Sequence, residues 1–181
     1  MRQKPIVQRG GDFVRKYEVV FIIRPMEIRK AKIEELDEIM EIFEHARQFM
    51  AKNGNASQWG TTYPEQEIVE ADIKKEECYV CVENGEIEAT FVFFMGKVEP
   101  NYVDIYDGEW KNEAPYGTIH RVASRGRVPG ISKICMDFCK SQISNLRGDT
   151  YKDNIVMQKV FAKNGFEKCG TIYLAGQNRR I

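Results

Sequence analysis

Long hydrophobic runs are missing from this 181-residue chain. Near the N-terminus the longest is Val19 to Ile23, far short of the ~20 apolar residues that span a bilayer. It is also too short for the apolar part of a secretory leader, and no small-residue cleavage site follows it. Membrane association is therefore not expected. Net charge is missing as well, with 27 Lys and Arg against 27 Asp and Glu. A general polyanion binder carries a basic excess over a face, so nucleic acid is not an expected partner. Cysteines are few and odd in number: Cys78, Cys81, Cys135, Cys139 and Cys169 leave one unpaired in any disulfide scheme. Such cysteines read as reduced thiols of a cytoplasmic protein. Two phosphate signatures are absent, the Gly-rich loop ending in Gly-Lys-Ser/Thr and the Gly-x-Gly-x-x-Gly turn. Kinase, ATPase and dinucleotide-dehydrogenase readings lose most of their weight. Cys78 and Cys81 have Cys-x-x-Cys spacing but fall in a strand pattern, where residues three apart point opposite ways. With no second pair, no metal is expected.

What is present is enough for one domain with its own core, since 43% of the residues are hydrophobic. The neutral total hides an uneven distribution. Residues 1–25 carry six basic residues against Asp12 and Glu18, a surplus of +4, which leaves −4 for residues 26–181. The chain divides on this basis into a basic N-terminal extension, 1–25, and a domain, 26–181. The extension either precedes a natural start at Met26 or forms a strand through the β-rich stretch Tyr17 to Ile23.

From Met26 onward the pattern is regular. A strand at Met26 to Lys30 leads to a helical stretch from Ile33 to Lys52, with Leu36, Ile39, Met40, Phe43, Ala46 and Phe49 three or four apart. Asn53-Gly54 stops it. Pro64 opens a shorter helix through Glu77. Cys78 to Glu83 and Glu86 to Met95 flank Asn84-Gly85, the pattern of a hairpin with a tight type I′ turn. A loop, 96–115, then carries aromatic and acidic residues. Tyr116 to Ala123 predicts a strand, Gly130 to Ser144 a helix, Leu146 to Thr150 a strand, Asn154 to Asn164 a helix, and Phe166 to Leu174 a last strand. This order predicts an α/β (α+β) domain with helices packed on a mixed sheet.

The chemically informative unit is the strand ending at Ala123, the turn Arg125 to Gly130, and the helix after it. A helix start offers unpaired N–H groups and the positive end of the dipole, so it binds phosphate. Gly130 and Ser132 are small enough for close approach, and Arg125 and Arg127 add charge. An anion site, most plausibly for a pyrophosphate, is the expectation.

Arg127-Val128-Pro129-Gly130-Ile131-Ser132 resembles the Arg/Gln-x-x-Gly-x-Gly/Ala turn of the GNAT N-acetyltransferases. Met26 to Ala31 resembles the first strand of that family. Asp153-Asn154, followed by Phe161-Ala162-Lys163-Asn164-Gly165-Phe166, resembles its Asn-bearing helix and terminal Gly-Phe. The match spans about residues 26–174. It implies a mixed, mainly antiparallel central sheet flanked by helices, with a βαβ unit that binds cofactor. It also implies transfer of an acetyl group from acetyl-CoA to the primary amine of a small molecule or peptide, with no metal. By resemblance, Arg121, Val122 and Ala123 pair with the pantetheine arm. Residues Arg127, Val128, Gly130, Ile131 and Ser132 hold the pyrophosphate, Pro129 lacking a donor. Asn154 contacts the cofactor arm beside Phe161.

Two departures from the family pattern stand out. Ser132 replaces a glycine or alanine. Phe161 replaces the tyrosine that serves many relatives as general acid, so water or Tyr151 would have to serve the thiolate. Phe161 also keeps alive a second reading, a non-catalytic acyl-CoA-binding sensor or assembly module.

The remaining candidates have two readings each. His120, one residue before the cofactor-pairing stretch, is either a satisfied, partly buried histidine or a general base. Asp107 and Glu109 lie in the acidic aromatic loop, where a carboxylate either is solvated or binds an amine and takes its proton, Glu109 being the catalytic candidate. Trp59, Tyr106 and Trp110 either wall an acceptor pocket through cation–π contact or anchor loops in the core. The expected partners are acetyl-CoA and an amine acceptor, with the protein a monomer or homodimer. The chain stops soon after its last predicted strand, which would leave a sheet edge weakened or open to a partner.

Overall fold

A computed structural model describes residues 26–174 and 179–180. The extension 1–25 and the segments 175–178 and 181 lie outside the described residues, and with them the expectations placed there.

Five strands form one sheet in the order β1 (Glu27–Lys30), β2 (Cys78–Glu83), β3 (Glu86–Met95), β4 (Gly117–Ser124) and β5 (Leu146–Gly148). The first four are antiparallel to their neighbours, and β5 runs parallel to β4. Helices α1 (Leu36–Lys52) and α2 (Gln66–Lys74) cover one face. Helices α3 (Ile131–Gln142) and α4 (Ile155–Lys163) cover the other. The βαβ unit is β4–α3–β5. The sheet is mixed, as the sequence pattern predicts, and mainly antiparallel and flanked by helices, as the family resemblance implies.

Local chemistry accounts for these elements. The α1 stripe buries Leu36, Ile39, Ile42 and Phe43, and the helix ends where Asn53 N–H reaches the Phe49 and Met50 carbonyls. Asn84 and Gly85 take φ of 53° and 87°, the two positive values a type I′ hairpin needs. Strand β3 is buried along most of its length because helices cover both sides. Cys78 joins the core under α1 and Cys81 the core under α3, the opposed facing that strand geometry demands. Cys81 Sγ packs 3.6 Å from Cys135 Sγ.

The sequence pattern overextends the last strand. Only Ile172–Tyr173 is strand, β6, paired with β7 (Arg179–Arg180). The preceding residues instead hold the long loop: Tyr106 and Thr171 exchange backbone hydrogen bonds at 2.8 and 2.7 Å, and Glu109 N–H donates to the Cys169 carbonyl at 3.0 Å. Strand β5 is also shorter than predicted, ending at Gly148. That early ending positions the site.

Candidate functional site

Strands β4 and β5 pair only from Gly117 to Ile119 against Leu146 to Gly148. Beyond Ile119 they separate. A bulge assists: Thr90 faces Ala123 while Val92 faces His120, so Arg121 and Val122 together oppose Phe91. Arg121 takes φ of 49° there, a left-handed conformation that strains a non-glycine residue. The extra residue bends the strand. A cleft of about 710 Å³ opens along residues 120–124 of β4, bounded by the start of α3, the face of α4 and the loop between α1 and α2. Its position at the carboxyl ends of parallel strands is where open α/β sheets bind ligands.

One end of the cleft has features that favour an anion. Gly130 sits at the N-cap of α3 with φ of 76° and no side chain capping the helix. The first N–H groups, at Ile131 and Ser132, are thus left for a ligand, with the dipole behind them. A Cβ at Gly130 would meet nothing within 4 Å, so the approach is open. Together with the freed edge of β4, this geometry fits a pyrophosphate followed by an amide-bearing arm.

The turn differs from expectation in its side chains. Arg127 points away, its guanidinium bound to Glu88 at 2.7 Å and Glu86 at 2.7 Å. Arg125 is taken up by the Ile87 carbonyl and by Glu38. Val128 packs into the core under α3. Arg127, Val128 and Pro129 therefore do not line the cleft; Gly126, Gly130, Ile131 and Ser132 do. The anion attraction that remains comes from the backbone.

Near the middle of the cleft, His120 stands between two carboxylates. Its Nε2 is 3.2 Å from Glu99 Oε2, and its Nδ1 is 3.4 Å from Asp149 Oδ1. Tyr102 Oη donates to Asp149 Oδ1 at 2.8 Å. Burial, and then the Asp149 charge, lift the Tyr102 hydroxyl well above its ordinary ionisation, so it remains a donor. The hydrogen bond from His120 holds the Glu99 carboxyl down at about 2 against the opposing effect of burial, and Asn101 adds two further bonds.

Further candidates lie along the same cleft. Arg121 also lines the cleft, but its guanidinium is taken up by the wall, with Nη2 donating to Asp72 at 2.6 Å and Nη1 to the Tyr63 hydroxyl at 3.2 Å. Val122, Ala123, Asn154 and Phe161 line the cleft. Asn154 caps α4 by accepting from Met157 N–H at 3.0 Å. Trp59 does two jobs, lining the cleft while its ring packs edge-on against Phe43 at 5.7 Å.

Glu109, Tyr106, Asp107 and Tyr151 line neither this cleft nor the second hollow of about 740 Å³ beyond β5. The backbone bonds at Thr171 and Cys169 draw the acidic loop toward β6, where Tyr106 packs on Tyr173 at 5.1 Å. Trp110 faces the second hollow, with Arg147 4.1 Å over its ring. Tyr151 is buried. The assignment of Glu109 and Tyr151 to catalysis, and of Tyr106, Asp107 and Trp110 to the acceptor, does not fit this placement.

Sequence reasoning missed Glu99, Asp149, Asn55 and Gln58. Glu99 precedes His120 by 21 residues, and no local spacing announces the pair. Asp149 had a signal, since it directly follows a short strand parallel to β4.

The fold has close relatives among solved structures, although no family model and no curated protein matches the sequence. An acetyltransferase of the GNAT family from Streptococcus agalactiae 2603 is 30% identical, with 86% of this chain and 91% of that chain covered and a TM-score of 0.76. A GNAT-family acetyltransferase from Bacillus cereus ATCC 10987 is 19% identical, with 87% and 93% covered and a TM-score of 0.55. A predicted acetyltransferase from Clostridium acetobutylicum, solved with acetyl-CoA, is 16% identical, with 80% and 91% covered and a TM-score of 0.51.

Proposed function

Because the chain belongs to the GNAT family of acetyltransferases, we propose that it transfers an acetyl group from acetyl-CoA to a primary amine within a ternary complex. The carrying observation is that one cleft joins an uncapped helix start, a released strand edge and the Glu99–His120–Asp149 cluster. The acyltransferase domain on this reading begins at Met26. Four of the five thiols are buried, which fits a reducing compartment such as the cytoplasm.

Acetyl-CoA supplies the activated acyl thioester. The amides of Ile131 and Ser132 hold its diphosphate, and the β4 edge at Val122 and Ala123 aligns its amide arm. The role of the His120 cluster is proton transfer. Glu99 accepts from Nε2–H and fixes the imidazole. The unprotonated Nδ1 faces Asp149, steadied by Tyr102, which stabilises the imidazolium once Nδ1 takes a proton. The cluster binds the incoming ammonium and takes the proton that the amine must lose. Phe161 offers no proton. A thiol with an ordinary pKa of about 8.5 is a leaving group that water can protonate, so the chemistry needs no side-chain acid.

Phe161 also favours a second reading, an acyl-CoA-binding module without catalysis. Thermal shift with acetyl-CoA tests both readings, because a ligand held by the native state raises the melting temperature. No shift with any acyl-CoA sinks both. Corrected CoA release across an amine panel separates them. In an active protein His120→Gln should lower kcat about 10²–10⁴-fold while leaving the thermal shift in place.

A further inference from the structure

Among the described residues, the hydroxyls that line the cleft belong to Tyr63, Ser124, Ser132 and Thr150. Tyr63 Oη accepts from Arg121. Ser124 ends β4, and Ser132 lies in the first turn of α3 at the anion end. Thr150 has different surroundings. It is 2% exposed, and its Oγ1 is buried without a hydrogen-bond partner. Native structures rarely leave a buried hydroxyl unpaired. Neither water nor another side chain satisfies this one, so a ligand filling the cleft is the partner left to it.

The course of the chain sets its direction. Gly148 faces α4, since a Cβ there would lie 3.0 Å from Phe161 Cζ. Asp149 faces the opposite way, toward His120 and Tyr102. Side chains alternate along extended backbone, which returns Thr150 to the α4 side. Thr150 and Phe161 accordingly share the wall between the cleft and the second hollow. An acyl transfer uses the two sides differently. The amine arrives and loses its proton at the His120 cluster. The sulfur departs from another side of the carbonyl carbon and takes the bonding pair with it.

From this placement we infer that Thr150 is a catalytic residue that meets the leaving sulfur, its Oγ1–H donating to the thiolate as the carbon–sulfur bond breaks. The inference rests on the acyltransferase reading and adds a residue to it. The nitrogen–carbon bond forms, the carbon–sulfur bond breaks, and the amine proton passes to His120 Nδ1. Thr150 keeps its own proton, an alcohol being a weaker acid than a thiol, and water protonates the sulfur. Two other orphaned atoms belong to residues of the cleft wall. Asn55 Oδ1 can only accept. Arg121 Nε lies on the α2 side, where Asp72 holds the guanidinium.

The test pairs Thr150→Val, which keeps the shape without the hydroxyl, with Thr150→Ser, which keeps the donor. Valine should leave the melting temperature equal or higher, because no hydrogen bond within the protein is lost. It should lower kcat for amine acetylation about ten- to a hundredfold, the effect of one hydrogen bond to a charged group. Serine should restore most of that loss. A second readout needs no turnover. The ultraviolet thiolate band of bound CoA, taken as the difference from the desulfo-CoA complex, should emerge at higher pH in the valine variant than in the wild type. An unchanged kcat and an unshifted thiolate band would overturn the assignment and leave the acyltransferase reading standing. A melting temperature lowered by valine and restored by serine would also overturn it, since the hydroxyl would then serve the fold. If CoA binds and no amine reacts, an unshifted band still overturns it. Failure to bind CoA would overturn the acyltransferase reading itself, and this inference with it.

Discussion

The side-chain oxygen of Gln58 accepts from Asn55 Nδ2 at 2.7 Å and from Asn154 Nδ2 at 2.9 Å. One carboxamide thereby fastens the loop after α1 to the residue that caps α4, two elements on opposite banks of the cleft. Asn154 spends its own oxygen on Met157 N–H, so cap and crosslink are the same side chain. Replacing Gln58 by Ala strands two part-buried donors and should cost about 1–3 kcal/mol in urea unfolding. Gln58→Glu keeps an acceptor at that point and should recover most of the loss. Equal destabilisation by both variants would mean the crosslink contributes through packing instead.

Glu99 sets an acid limit on stability. Its folded-state carboxyl, held at about 2 chiefly by the His120 hydrogen bond, lies below the ordinary value of 4.5. The sign follows from linkage: a depressed carboxylate contributes stability that is fully present above the unfolded pKa and is lost as pH falls through the folded one. The loss should therefore develop between pH 4.5 and about 2. In Glu99→Gln this component of the pH dependence should vanish, which denaturant melts of both proteins across that window would reveal.

Gly130→Asp separates cofactor repulsion from folding. Aspartate tolerates left-handed backbone better than most residues, and a Cβ here meets nothing within 4 Å. The left-handed backbone at φ 76° should lower the melting temperature modestly and to a similar extent for aspartate and asparagine, whereas CoA affinity should fall at least about tenfold in the aspartate variant from like-charge repulsion at the α3 start. Gly130→Asn, the neutral counterpart, should bind CoA more tightly than the aspartate variant. Equal affinity of the two would place the diphosphate elsewhere.

Gly117 opens β4 where the strand crosses the core. A Cβ there would lie 2.6 Å from Phe93 Cε2 and 2.8 Å from Ile143 Cγ2, and Phe93 is buried. Gly117→Ala should destabilise by about 1–3 kcal/mol through overpacking. Phe93→Leu combined with it should show non-additivity, since the two sites touch. Additive costs in chemical denaturation would argue that the strand shifts as a whole.

How much of the fold is legible in the chain depends on the range of the interactions concerned. The α1 stripe, the Asn84-Gly85 hairpin and the Gly130 start of α3 can be read because each rests on periodicity or backbone freedom within a few residues. The opposed facing of Cys78 and Cys81 follows from strand geometry in the same way. The last strand is overextended because Cys169 and Thr171 find backbone partners in the loop at Glu109 and Tyr106, and propensity carries no record of such a competitor.

Element order, the mixed sheet and the glycine-bearing turn before α3 are settled within the sequence, as short-range consequences of hydrophobic spacing, glycine and helix polarity. The sequence also names His120, without choosing between an inert and a chemical histidine. Its surroundings come from tertiary packing. The bulge at Arg121 and the early end of β5 separate β4 from β5, and chain segments far apart in sequence bring Glu99 and Asp149 to opposite sides of one imidazole. The same long-range packing withdraws Glu109 and the arginines of the turn from the cleft, because backbone bonds and carboxylates elsewhere in the fold claim them first. A side chain's charge and reach are written in the sequence; its partner depends on which surfaces the fold brings together.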